Sequence, residues 1–125
     1  MISGVGIDLV YMPRVKNMLE RWGNQIKTRL FTPVEIDYCE KKRLSYYEFS
    51  ARIAAKEAFS KALGLGMKKG IRWKDIEVVN EKTGKPIINL YGRAREICRE
   101  RKIKKIVVSL SHDRSYATAI VILEV

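Results

Sequence analysis

The sequence predicts an α+β fold: a mostly antiparallel sheet with a long alanine-rich helix packed on it. Three observations carry this expectation. The elements run strand, helices, two strands, helix, two strands. Two pairs of short β-rich runs are joined by turn sequences and read as hairpins. One uninterrupted helical segment carries five alanines, at 51, 54, 55, 58 and 62, which make one side small enough for close packing. With 125 residues, the chain reads as a single domain over 1–125, large enough to bury a core without staples.

Each element has a local cause. Ile2 to Val10 alternates small and apolar residues and reads as a buried strand, with Asp8 interrupting its apolar end. Pro13 fits the first turn of a helix. Val15, Met18, Leu19, Trp22, Ile26 and Leu30 then recur at helical spacing, with Gly23 and Asn24 placed to bend or break the run. Thr32 and Glu35 form a capping box with proline at the first helical position, so a short helix runs from Pro33 to about Lys41. A basic linker, Lys41 to Arg43, leads into the alanine-rich helix. Ser45 and Glu48 supply a second capping-box pattern at its start, and Gly64 sits where a helix stops.

Beyond Gly64 the chain changes character. Gly64, Gly66 and Gly70 mark a flexible connection. Ile76 to Val79 and Ile87 to Leu90 form a hairpin around the Glu81 to Pro86 turn. Gly92 to Lys102 reads as a helix with Ala94, Ile97 and Cys98 on its apolar side. Ile106 to Ser111 and Tyr116 to Leu123 form a second hairpin, whose turn contains His112.

Composition narrows the function classes. No apolar run is long enough for a transmembrane helix, and no signal peptide is visible. Cys39 and Cys98 lie far apart and, with one histidine, cannot complete a four-ligand zinc site. They read as reduced thiols of a cytoplasmic protein. The net charge of +11 points to an anionic partner: nucleic acid, a phosphorylated ligand or an acidic protein.

Candidate chemistry sits on few residues. Asp8 is costly to bury in its apolar strand unless paired or metal-bound. Taken alone it reads first as the end of the strand or a cap of the next helix. Glu57 and Lys61 lie four apart on one helix face, which alone reads as an ordinary helix salt bridge. Together, Asp8 and Glu57 supply the one or two carboxylates that a Mg²⁺ site needs, with phosphate and waters completing the octahedron. Arg43, Arg52, Lys56 and Lys61 are cations able to hold phosphates, or else a solvated basic face. Ser111, His112 and Asp113 do not make a hydrolase triad, because adjacent residues do not normally converge on one atom and no nucleophile elbow is present. No dinucleotide fingerprint or Walker loop occurs.

The constellation resembles holo-[acyl-carrier-protein] synthases, the short, single-domain type of 4′-phosphopantetheinyl transferase. The segments that carry the resemblance are Gly4-Val-Gly-Ile-Asp-Leu-Val10, the run from Arg52 to Gly64, and Val108 to Asp113 followed by Tyr116 to Ala119. Gly84-Lys-Pro86 also looks like the family's hairpin turn. The resemblance implies transfer of 4′-phosphopantetheine from coenzyme A to a serine of apo acyl carrier protein, and a homotrimer with active sites between subunits. It implies that Asp8 and Glu57 bind Mg²⁺ at the diphosphate and that Lys61 stabilises transition-state charge there. Arg43, Arg52 and His112 would contact the nucleotide end, and Gly64 would let the backbone approach the ligand. Asp37 matches a position proposed as the base, although Glu35, two residues earlier, is an alternative acid. Both also fit carboxylates favoured by a helix N-terminus. Arg14 falls where the family docks the acidic carrier, and Arg21 shares its face.

Two other readings compete. A small basic nucleic-acid-binding domain fits the charge, but no basic-aromatic strand, helix-turn-helix or zinc finger is present. An inactive carrier-binding adaptor would need Arg14 and Arg21 but neither Asp8 nor Glu57.

Overall fold

The computed structural model describes all residues, Met1–Val125. Strand β1 (Ile2–Tyr11) leads directly into α1 (Met12–Trp22), and α2 (Asn24–Leu30) follows after a break at Gly23. Gly23 takes φ +52, and its N–H caps α1 by donating to the Leu19 carbonyl. Helix α3 (Pro33–Glu40) begins at the expected capping box: the Glu35 N–H donates to Thr32 Oγ1, and the Thr32 N–H donates to the Glu35 carboxylate.

Helix α4 (Ser45–Leu63) is the longest element and ends on Gly64 in the left-handed conformation. Its start differs from expectation. Leu44 is the N-cap, Ser45 is already helical, and no side chain caps the end. Glu48 instead faces Arg52 one turn on, at 3.7 Å. A 3-10 turn over Trp73–Asp75 leads into β2 (Ile76–Asn80), β3 (Pro86–Leu90), α5 (Gly92–Glu100), β4 (Lys105–Asp113) and β5 (Tyr116–Glu124).

The strands form two antiparallel sheets, β1-β5-β4 and β2-β3. The β4–β5 hairpin is longer than expected, so His112 lies within β4, opposite Ala117. Only Arg114 and Ser115 remain in the turn, and Arg114 adopts φ +55 to close it.

Side-chain alternation decides which face of the three-stranded sheet covers α4. Ala117, Ala119, Val121 and Leu123 of β5 point inward and are buried. They meet Ala54, Ala58, Phe59 and Leu63 of α4 in the larger core. A smaller core gathers Val15, Leu30, Phe31, Cys39 and Phe49 where α1, α2 and α3 meet α4. The Phe31 and Phe49 rings pack 4.7 Å apart within it.

Candidate active site

Glycines in β1 and alanines in α4 bring the acidic residues together. A β-carbon on Gly4 would overlap the Ala62 carbonyl, and one on Gly6 would overlap the Ala58 carbonyl. Strand and helix backbones therefore touch, which only small residues permit. Each two-residue step along β1 advances about 6.6 Å and each four-residue step along α4 about 6 Å, so the two ladders stay in step. Asp8 is the next inward position after Gly4 and Gly6, and it reaches α4 beside Glu57. Helical side chains lean toward the N-terminus, which aims Lys61 back at the same place. The Lys61 ammonium donates to Asp8 Oδ1 at 2.9 Å and to the Ile7 carbonyl at 3.1 Å.

The site is electrostatically tense. The Glu57 carboxyl is raised above its usual value, first by burial and then by the Asp8 charge, with Lys61 opposing. The Lys61 ammonium is raised in turn, first by its hydrogen bond to Asp8. The Asp8 Oδ2 and both Glu57 carboxylate oxygens accept no hydrogen bond from the protein. No third His, Cys, Asp or Glu joins the pair. This donor set fits Mg²⁺, a hard cation that takes one or two carboxylates and fills its octahedron with waters and substrate phosphate. It does not suit zinc, which needs three or four protein ligands.

The carboxylates open into a groove of about 550 Å³. Its walls are largely apolar, including Met18, Ile26, Ile53 and Trp73, and Arg14 stands on its rim. Met18 and Ile26, which recur at helical spacing in the sequence, are partly buried against the smaller core and also line this groove. Trp73 was not anticipated at all, because it sits on an irregular turn.

The remaining candidates are spread out. Arg14, Arg21 and Arg43 are exposed. The Arg21 guanidinium lies 5.2 Å from the Trp22 ring centre. His112 is exposed on β4, with its ring 5.2 Å from that of Tyr47. Arg52 is only 1% exposed. It donates to Asn80 Oδ1 at 2.9 Å and lies over the Tyr38 ring, while its Nε–H has no partner. Asp37 is exposed on α3 and paired with Lys41 at 3.0 Å, so the fold does not bring it to Asp8 and Glu57.

Two candidates are corrected. Lys56, considered as a phosphate-holding cation, is fully buried. Its three N–H groups donate to Glu35 Oε1 and the Leu30 carbonyl, each at 2.7 Å, and to the Trp73 carbonyl at 3.0 Å. Glu35, the alternative acid, is the partner of Lys56 and also accepts from the Thr32 and Val78 backbones. Neither can reach a substrate. Burial pushes the Lys56 ammonium down, and Glu35 partly restores it.

Comparisons with known proteins converge. The sequence matches the family described as the 4′-phosphopantetheinyl transferase superfamily over residues 4–121. A holo-[acyl-carrier-protein] synthase of Syntrophus aciditrophicus (strain SB) is 48% identical, over 99% of this chain and 97% of its own. The crystal structure of the holo-[acyl-carrier-protein] synthase from Neisseria meningitidis superposes with a TM-score of 0.90 at 30% identity, covering 99% of both chains. The Helicobacter pylori holo-[acyl-carrier-protein] synthase, solved in complex with coenzyme A, gives 0.85 at 30% identity, covering 96% of this chain and 99% of that one.

Proposed function

The chain belongs to the 4′-phosphopantetheinyl transferase superfamily, and we propose that it moves 4′-phosphopantetheine from coenzyme A to a serine hydroxyl of apo acyl carrier protein. Adenosine 3′,5′-bisphosphate is the other product. The observation that carries this reading is the meeting of Asp8, Glu57 and Lys61 at the mouth of a groove with Arg14 on its rim. The whole chain, 1–125, acts as one domain. The test is the intact mass of an apo carrier after incubation with the protein, coenzyme A and Mg²⁺. A gain of about 340 Da, one phosphopantetheine group, that EDTA prevents is the expected result. No gain with several carriers overturns the reading.

Asp8 and Glu57 would hold Mg²⁺, which when bound neutralises charge on the diphosphate of coenzyme A. Lys61 places a positive charge beside the same diphosphate as the leaving phosphate gains negative charge. The serine oxygen bonds to the phosphorus nearer the pantetheine arm, and the bond to the leaving adenosine bisphosphate oxygen breaks. Asp37, exposed and paired with Lys41, is away from Asp8 and Glu57 within one chain, so it would accept the serine proton only at a site completed by a neighbouring subunit of the assembly proposed below. Arg52, 1% exposed and bonded to Asn80, is held inside the fold, whereas Arg43 and His112, both exposed, are assigned to the nucleotide end, whose 3′-phosphate needs charged partners. Gly64 lets the backbone turn there without a side chain. Arg14 and Arg21 dock the acidic carrier. The basic charge then needs no nucleic-acid partner.

The working assembly is proposed to be a homotrimer. Its support is the outer face of the β1-β5-β4 sheet. Val5, Ile7 and Leu9 are 54%, 63% and 64% exposed, beside Ile120 and Tyr116. An antiparallel sheet normally turns a polar face to water, and an apolar one calls for a partner. Native mass spectrometry tests this, and a monomer at micromolar concentration overturns it. No helix is long and apolar enough to cross a membrane. The site of action is taken to be the cytoplasm, where the carrier's coenzyme A chemistry and two free cysteines belong together.

A further inference from the structure

The Lys61 ammonium donates to Asp8 Oδ1 at 2.9 Å, and this contact competes with the role assigned to Asp8 above. The Lys61 ammonium is the only cation bonded to either carboxylate of the pair. It covers one of the two Asp8 oxygens and anchors its second N–H on the Ile7 carbonyl. We propose that Lys61 is a built-in counter-cation that occupies Asp8 until a divalent cation takes its place, and that this exchange releases Lys61 for the diphosphate.

Three observations carry the exchange. First, Asp8 and Glu57 repel one another, so the pair needs a positive charge nearby. Second, Lys61 is 52% exposed, and an ion pair that open to water is weak, so its release is inexpensive. Third, a divalent ion attracts the carboxylate about twice as strongly as one ammonium at equal distance. The lysine stem is long and flexible, so the freed ammonium swings without moving α4. The consequence is a lower metal affinity in the free protein, because only the fraction with Asp8 uncovered is competent to bind. Lys61 is then available to phosphate only when the metal is in place.

This inference rests on the metal reading of Asp8 and Glu57, and the test separates the two. Mn²⁺ binding to the full chain without coenzyme A is followed by loss of the free-ion EPR signal. Lys61→Met is expected to tighten binding about three- to fivefold, the scale of freeing Asp8 from an exposed ion pair. Arg14→Gln removes a groove cation that does not touch Asp8 and should tighten binding less than about twofold. In ¹⁵N-lysine-labelled wild-type protein, the Lys61 ammonium resonance should be visible while it is bonded to Asp8. It should be lost to solvent exchange on adding Mg²⁺.

If Lys61→Met binds Mn²⁺ no more tightly than wild type, or Arg14→Gln tightens it equally, the exchange is wrong. The metal assignment survives that result provided Asp8→Asn abolishes binding. If Asp8→Asn binds Mn²⁺ like wild type, the metal reading falls and the exchange falls with it.

Discussion

Gly6 of β1 lies against the Ala58 carbonyl of α4 so closely that a β-carbon at Gly6 would overlap it. This contact sets the distance between the strand that carries Asp8 and the helix that carries Glu57 and Lys61. The activity therefore depends on a residue with no side chain.

Gly6→Ala should damage both stability and the site. The overlapping atom belongs to the backbone of a 19-residue helix and cannot rotate away. Strand and helix must separate, at a cost of about 3 kcal/mol, the upper range for overpacking. The urea midpoint should fall accordingly. The protein that remains folded should bind Mn²⁺ more weakly than wild type, because Asp8 moves with its strand. An unchanged midpoint would mean that the backbones have slack at this contact.

The Lys56–Glu35 pair should behave as a buried clamp. It ties the end of α2, the start of α3, the Trp73 turn and β2 to α4 through five hydrogen bonds. Lys56→Met leaves Glu35 charged and buried against only backbone donors, and should cost about 3–5 kcal/mol. Adding Glu35→Gln to that variant should recover part of the loss, since no unpaired charge remains. A double-mutant cycle by urea unfolding measures the coupling. Additive single effects would show that the two side chains do not depend on each other.

These contrasts explain what the sequence could reveal. The Gly23 break, the Thr32–Glu35 cap and the Gly64 stop depend on residues close in the chain, so local rules find them. Asp8 and Glu57 are 49 residues apart, and only their chemistry suggested a shared ligand. Lys56 and Glu35 were misjudged for a related reason. A lysine beside Arg52 and Lys61 resembles a basic face, and its true partner is 21 residues away across the fold. Ser45 misled because the chain enters α4 through Leu44, one residue earlier than the capping pattern requires. His112 was assigned to a turn because nothing local shows that Arg114 accepts a positive φ. The apolar outer sheet face was legible only in part, since alternation in β1 cannot say which side meets α4.

Metal binding should weaken early on acidification. The Glu57 carboxyl lies above its usual 4.5, through burial first and Asp8 second. A carboxyl raised in the folded state favours folding while protonated, and that advantage is lost as pH rises through its folded value. A bound metal must displace the same proton. Mn²⁺ affinity of the protein without coenzyme A should therefore fall on acidification, starting at a higher pH than an ordinary carboxylate would set. In Glu57→Gln the affinity should be lower throughout, with a flatter pH dependence. A wild-type affinity that stays constant down to about pH 4.5 would contradict the raised carboxyl.

Cys39 should resist alkylation in the folded protein. It is fully buried among α3 and α4 side chains, and burial pushes its thiol up to about 12. At pH 8 the thiolate fraction is then about one in ten thousand, and the thiolate is the nucleophile. Iodoacetamide should label Cys39 only after denaturation, as read by peptide mass. Rapid labelling of the native chain would mean that the smaller core opens readily.

Arg14→Glu should separate carrier docking from coenzyme A binding. Arg14 is exposed on the rim of the groove that ends at Asp8 and Glu57, so a partner delivering its serine there passes it. An acidic carrier approaching a chain of net charge +11 is steered by that field. Reversing one rim charge chiefly slows encounter, so KM for the carrier should rise about tenfold at low salt while kcat holds. Added salt should narrow the gap between variant and wild type, because screening weakens attraction and repulsion alike. Coenzyme A affinity, measured by calorimetry, should not change. Equal loss of both affinities would move Arg14 from docking into the structure of the groove itself. A carrier KM indifferent to salt in the wild type would remove the electrostatic account altogether.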